Sequence, residues 1–395
     1  MRWLERTRRF LVGLAIWGAT ATAAIAGPIE GLRYIGQQTL PTGSTYSGTE
    51  IGGLSGIDYD PATGTYWAIS DERSATGPAR FYNTSLDFDQ NGFYGVSFNS
   101  VQTMKRSPGE GGGTFPLNTV DPEAIRYDAS SNTFYWASEG DRLPPGNLQN
   151  PFVREMDING DYVRELATPA KYNPTAGAQG IRRNLAFESL TLSTDGQTVY
   201  TATENALFQD GTDATLSTDS PSRILSFNKS TGAAGAEYVY RVSPVIEPPL
   251  PSNGFATNGL VELLALDAEN FLAVERSFST GRGNRILIYN VNISGATDVS
   301  SLNALTGSET PVSKSLLFDL DVLGIPLDNI EGITLGPKLA NGNRSVILVS
   351  DNNFSGTQFT QFIVMQAVPE PSSMALCAVA VAALVFYRSR RRTIG

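Results

Sequence analysis

Acidic side chains recur at two fixed places along this chain. Glu123, Glu188, Glu262 and Glu331 each open a short segment of alternating apolar residues, and Asp71, Glu139, Glu204, Glu275 and Asp351 each close the segment that follows. Carboxylates gathered in one confined place repel one another, so they cannot all stay ionised without compensation. Two compensators stand beside them. Hard divalent cations, calcium above all, prefer carboxylate and amide oxygens, and Asn205, Asn352 and Asn353 follow closing acids. Arg73, Arg142 and Arg276 lie within a few residues of closing acids and offer the other. The candidate metal ligands are therefore Glu123, Glu188, Glu204, Glu262, Glu331, Asp351 and Asn352, with Ca2+ as the ion. Glu188, Glu262 and Arg276 are the candidates for direct work on a substrate. The competing reading is structural: the acids pair with arginines and cap backbone amides to lock neighbouring units. The chain has no histidine, which excludes a Ser-His-Asp triad and a His-ligated zinc centre. Catalysis here must use a carboxylate as base or a metal to activate water.

The elements that carry these acids repeat. "SGIDYD", "EAIRYD", "ESLTLS", "ELLALD" and "EGITLG" start at residues 55, 123, 188, 262 and 331, a spacing of 65 to 74 residues. Each alternates with period two and reads as a strand. Turns such as "DPATGT", "DASSNT" and "STDGQT" follow, and then second strands, "YWAISD", "FYWASE", "VYTATE", "FLAVE" and "VILVSD", that stop at an acid. More polar strands fill the intervals. Two inner and two outer strands per unit predict an all-β fold, a β-propeller of five blades over residues 27–367. A sixth, degraded unit within 143–185 or 244–258 is the alternative count. "LRYIGQQTL" near residue 32 has no inner pair of its own and is expected to complete the blade left unfinished by "FTQFIVMQ", which removes exposed edges. In such a ring the two marked ends of every unit meet at one mouth. "DFDQNG" and "DINGDY" read as polar hairpin turns, and "SPGEGGGTF" as a surface loop.

The two ends are of another kind. Residues 1–26 carry Arg2, Arg6, Arg8 and Arg9, an apolar run and Ala24-Ile25-Ala26, the pattern of a secretory signal peptide. Residues 368–395 hold Pro369-Glu370-Pro371, an apolar stretch short for a membrane helix, and Arg388, Arg390, Arg391 and Arg392. That order closely resembles the PEP-CTERM sorting signal. The resemblance implies a transient membrane helix, an exosortase-type processing enzyme as partner, and a place in the cell envelope or extracellular matrix. Of the 29 basic and 39 acidic residues, these ends hold eight arginines and two glutamates, which leaves a body of charge about −16 that does not suit nucleic acid or anionic lipid. The one cysteine, Cys377, lies in the C-terminal segment, so the body has no disulfide.

"RRNLAFESLTLSTDGQTVYTATEN", "ELLALDAENFLAVERSF" and "DNIEGITLGPKLANGNRSVILVSDNNFSGTQFTQF" resemble the phytase-like family, described as having an esterase-like activity of phytase. The matching positions are Asn184, Glu188, Glu204, Glu262, Glu275, Arg276, Asn329, Glu331, Asp351, Asn352 and Asn353. The resemblance implies a metal-dependent propeller hydrolase acting on a small-molecule phosphoester or other ester, lactones included. Ser55 stands where the other units have glutamate, and the body has few lysines to grip a polyphosphate. The alternative is a non-catalytic extracellular binding or matrix propeller. From the ends alone, mature protein recovered from the envelope is expected to lack the arginine tail; mass spectrometry that finds Arg392 intact on surface-exposed protein would count against processing.

Overall fold

The computed structural model describes residues 29–143 and 147–369. The expected signal peptide lies outside them, as does the expected C-terminal sorting segment, 368–395, except for Val368 and Pro369. Among the described residues there is no α-helix, only three short 3-10 turns, and no helix is long and apolar enough to cross a membrane.

Five four-stranded antiparallel sheets make up the body. From the inside outward, blade 1 is Leu54–Asp60, Thr65–Ser70, Arg80–Phe88 and Phe93–Thr103, and blade 2 is Pro122–Asp128, Thr133–Ser138, Phe152–Asp157 and Tyr162–Glu165. Blade 3 is Phe187–Leu192, Thr198–Thr203, Ser220–Asn228 and Ala234–Val242, and blade 4 is Ala256–Ala265, Asn270–Ser279, Gly283–Asn292 and Ser313–Asp319. Blade 5 takes Asn329–Lys338, Arg344–Asp351 and Phe359–Pro369 from the C-terminal side and its outermost strand, Ile29–Pro41, from the N-terminal side. The expected closure therefore holds, and the five units are five blades. The last strand runs two residues past 367, so that Val368 pairs with Gly31 and Pro369 with Ile29.

The second strands of the blades, such as Thr65–Ser70, Thr133–Ser138 and Arg344–Asp351, are buried on both faces and read as near-continuous apolar runs because each blade is covered by its two neighbours. The core is accordingly five wedges, one per blade interface. Between blades 1 and 2 it is aromatic, with Trp67, Phe81, Phe134 and Trp136 packed together. Between blades 4 and 5 it is aliphatic, with Val274, Ile288, Ile333, Leu348 and Ile363 among its members.

The axis is closed. A Cβ on Gly56 would meet Ile125 N at 2.9 Å, and one on Gly332 would meet Ile57 N at 3.1 Å, so the inner strands approach too closely there for a side chain. Into this layer blade 2 sends Arg126, 2 % exposed. Its guanidinium donates to the carbonyls of Ile57 (2.6 Å), Leu263 and Ile333 (3.1 Å each) and pairs with Glu262 at 2.8 Å. Glu262 in turn accepts from the backbone N–H of Leu190 at 2.9 Å. One ion pair thus touches all five blades. Breaking a buried pair from one side leaves an uncompensated charge and costs about 3–5 kcal/mol, whereas replacing both partners with apolar groups is far milder. Arg126→Met is therefore expected to lower unfolding free energy in urea by about that amount, and Arg126→Met with Glu262→Leu to recover much of the loss.

Candidate functional site

Each inner strand carries a β-bulge near its start, where the register against the second strand slips by one residue. A bulge leaves one residue unpaired and re-aims its side chain. The residues so placed are Ser55, Glu123, Glu188, Val261 and Glu331. In four blades the slip falls where the repeat predicts, and three of those four carry glutamate. In blade 4 it falls one residue early, on Val261, which goes into the wedge between blades 4 and 5. That single slip changes what the fourth unit contributes. Glu262 takes the place held by Gly56, Ala124, Ser189 and Gly332 elsewhere and becomes the axial partner of Arg126. At the end of the second strand, Arg276 replaces Glu275 in the position of Asp71, Glu139, Glu204 and Asp351.

Two expectations are corrected by this. Glu262 is neither a mouth ligand nor a group in reach of substrate, because it is fully buried on the axis and engaged there. Glu275 is a structural anion between blades 3 and 4, accepting from Tyr240 Oη at 2.8 Å and Asn258 Nδ2 at 3.1 Å and paired with Lys314 at 2.5 Å. Asn352 is a third correction. Its carbonyl oxygen accepts from the backbone N–H of Gly53 and of Phe354, both at 3.1 Å, and its amide donates to Thr42, so it braces loops and has no oxygen to spare. Asn205 does the same between Asn258 and Ala214. Arg142 stacks on Phe208 at 4.1 Å, beside Arg182, and donates to loop carbonyls of Gly177 and Gln179.

What remains gathers closely. Asp71, Asp121, Glu123, Glu139, Glu188, Glu204, Glu331 and Asp351 are buried or nearly so and act on one another's charges around the ring. One oxygen from each of Asp121, Glu123 and Glu139 lies within 4.8 Å of the others, and the same holds for Glu139, Glu188 and Glu204, so Glu139 belongs to both groups. Asp121 has no counterpart among the acids of the other units; its equivalents are Gly53, Ala186, Gly259 and Asn329. Two of those are glycine because the neighbouring acid fills the space. A Cβ on Gly53 would stand 1.9 Å from Asp71 Oδ1, and one on Gly259 2.0 Å from Glu204 Oε1.

Two arginines reach this ring. Arg276 lies 3.1 Å from Glu204 and 3.5 Å from Glu331, and Arg73 pairs with Asp121, stands 3.8 Å from Glu139 and donates to Asn184 at 3.1 Å. Eight carboxyls against two guanidiniums leave the mouth under-compensated. Burial, reinforced by the neighbouring carboxylates, pushes Glu123, Glu139 and Glu188 well above the usual range. Burial also raises Asp121 to about 7 against the pull of Arg73, and Glu204 to about 7 against that of Arg276. Asp351 rises to about 6, again through burial, held down by the Asn353 N–H and the Asn329 amide. Several oxygens have neither a hydrogen-bond donor nor a cation: Asp71 Oδ1, Asp121 Oδ1 and Glu204 Oε2. Buried acceptors are rarely left so. Beside Arg276 a groove of about 610 Å3 opens between blades 4 and 5, where Phe255, Phe278, Asn284, Leu327 and Asn353 line it.

Solved structures similar to this fold include a glycoside hydrolase family 43 protein of Bacillus licheniformis, at 11 % identity and a TM-score of 0.42 over 85 % of this chain and 59 % of that one. An α-L-arabinofuranosidase of Lactobacillus brevis matches at 10 % identity and 0.43, over 82 % and 94 % of the two chains. A β-xylosidase/α-arabinofuranosidase from a compost metagenome matches at 10 % and 0.42, over 86 % and 98 %. Likeness at this level carries no argument about chemistry. No curated protein sequence matches the chain. The profile of the phytase-like family, described as esterase-like activity of phytase, matches residues 49–354, the whole ring of inner strands and every acid of the mouth. The chain belongs to the phytase-like family.

Proposed function

We propose that the mouth is the active site of a calcium-dependent ester hydrolase that works outside the cytoplasm. The observation that carries the reading is the set of buried carboxylate oxygens with no donor, Asp71 Oδ1, Asp121 Oδ1 and Glu204 Oε2, among acids of which two groups of three lie close enough to share a cation. Such oxygens are what a hard, oxygen-seeking ion would complete. Asp121, Glu123 and Glu139, with Glu188 and Glu204, would hold it. When bound, calcium would neutralise these carboxylates, polarise the ester oxygen and lower the barrier to attack by water.

The chain's own residues supply the rest. Arg276 sits between the acids and the groove and offers a fixed positive charge to an oxyanion; burial works against that charge, but Glu331, Glu204 and Glu188 together hold its pKa above the usual value. Asp351 is the base. Its pKa of about 6 keeps it largely ionised at neutral pH yet basic enough to take a proton, and Asn329 and Asn353 fix its orientation. Glu188 serves as a ligand in this scheme, and Glu262 holds the axis beneath it. The basic, apolar ends of the chain support export, with the C-terminal segment removed at the envelope.

Two expected outcomes test the site. A carboxyl whose pKa is higher folded than unfolded keeps its proton longer in the native state, so the native protein binds more protons between the two values and stability falls as pH rises through that window. The windows run from 3.8 to about 6 for Asp351, 3.8 to about 7 for Asp121 and 4.5 to about 7 for Glu204. In chelator the melting temperature should therefore be higher at pH 5 than at pH 7.5. At pH 7.5, calcium at a hundredfold excess over Kd should return about 2.7 kcal/mol of stability. Glu139→Gln with Glu188→Gln should abolish that gain, together with any calcium-dependent hydrolysis of model esters and phosphoesters. Calcium stabilisation without turnover would leave a metal-stabilised binding propeller, and no calcium effect on either would overturn the reading.

A further inference from the structure

The groove beside Arg276 has a lining that the scheme above does not use. What it implies deepens that scheme and rests on it for the reacting bond. Phe255 and Phe278 form one wall, with ring centroids 6.2 Å apart and planes tilted by 35°. Phe255 is 65 % exposed, a large apolar face left in water from which the fold gains nothing. Thr257, Asn284 and Asn353 share the lining, and the Asn284 carbonyl oxygen is buried without a hydrogen-bond partner. The charged groups there are already committed. Arg276 is held by Glu204 and Glu331, and Asp328 accepts from the N–H of Asn329 and Phe359 and from the Gln358 amide.

The groove therefore offers aromatic faces, amides and hydroxyls, with Arg276, which faces the reacting bond, as the one cation among its lining residues. A polyphosphate would find a single cation, Arg276, already shared with Glu204 and Glu331, and the Asp328 carboxyl beside it. A plain aryl or alkyl group would cover the rings but give the groove's amides and hydroxyls no partner. A pyranose ring meets both demands, with its C–H face on the phenyl wall and its hydroxyls on the amides. We infer that the groove binds a neutral sugar ring and that the substrate is an O-acylated sugar. In the hydrolysis, the oxygen of water bonds to the acyl carbon and the C–O bond to the sugar breaks. The proton taken by Asp351 passes to the departing sugar oxygen, giving a carboxylic acid and a free sugar hydroxyl.

The test is binding, read in chelator so that it needs neither metal nor turnover. Saturation-transfer NMR and calorimetry would be run on the full body with neutral gluco-, xylo-, manno- and galacto-configured trisaccharides. At least one is expected to bind, with Kd raised tenfold or more by Phe255→Ala and by Asn284→Leu, while inositol hexakisphosphate and phenyl acetate fail to displace it. Phe255 is exposed, so its truncation leaves the fold intact. No saccharide binding, or binding unchanged in Phe255→Ala, would overturn the inference and leave the hydrolase reading where its own experiment puts it.

Discussion

The pair formed by Arg126 and Glu262 sets the terms for everything above it. Five strands that converge on an axis leave carbonyl and N–H groups turned toward a space too narrow for bulk water, and each of those groups needs a partner. Arg126 supplies donors to blades 1, 4 and 5, and Glu262 supplies an acceptor to blade 3. The pair meets the backbone requirement and fills the hole at once. As a result the mouth is a blind cup with a sealed floor. Carboxyls at the top of an open channel would be hydrated from below; here they are desolvated, and burial is the largest influence on every one of them.

Above that floor the geometry comes from local backbone devices repeated with variation. The bulge turns one side chain per blade out of the pleat, and in three blades it is a glutamate. Gly53 and Gly259 leave out the side chain that would otherwise displace Asp71 or Glu204. The fourth blade breaks the symmetry by one residue, and that break gives the mouth its inward arginine and the axis its glutamate. A ring of five identical acidic units would carry neither. Charge that the structure leaves uncompensated is concentrated on the side of blades 2 and 3, away from the groove between blades 4 and 5.

Much of this was legible in the chain. Period-two alternation, turn chemistry and the spacing of five similar sentences point to five blades, and the orphan strand near residue 32 points to the closure. The acids at Glu123, Glu188, Glu204, Glu331 and Asp351 come together as their repeat positions require. The fourth unit misleads because "ELLALD" matches its sister segments best with glutamate on glutamate, while the register is decided by where Val261 can be buried. A one-residue slip reverses every side chain, and no string comparison sees it. Asp121 carries a faint signal, an acid two residues ahead of an inner glutamate and fixed by the proline between them, but none of its sister positions is acidic. Asn352 is chemically suited to a metal and is lost to it only because loop N–H groups reach it first.

The closure of blade 5 bears on how such a molecule comes into being. Its third strand, Phe359–Pro369, lies between Arg344–Asp351 and Ile29–Pro41, so the first strand of the body to be synthesised has no ladder partner until the last is available. Blades 1 to 4 are local in sequence and can form as the chain emerges, whereas joining residue 29 to residue 369 bears the loop-closure entropy of the entire ring. Until then an incomplete ring presents two open flanks, at blade 1 and at blade 4, each an apolar wedge awaiting its neighbour. Ring formation is thus the final and least local event of folding, and a chain stopped short of its last strand would keep the two inner strands of the fifth blade but have nothing to join them to the first strand.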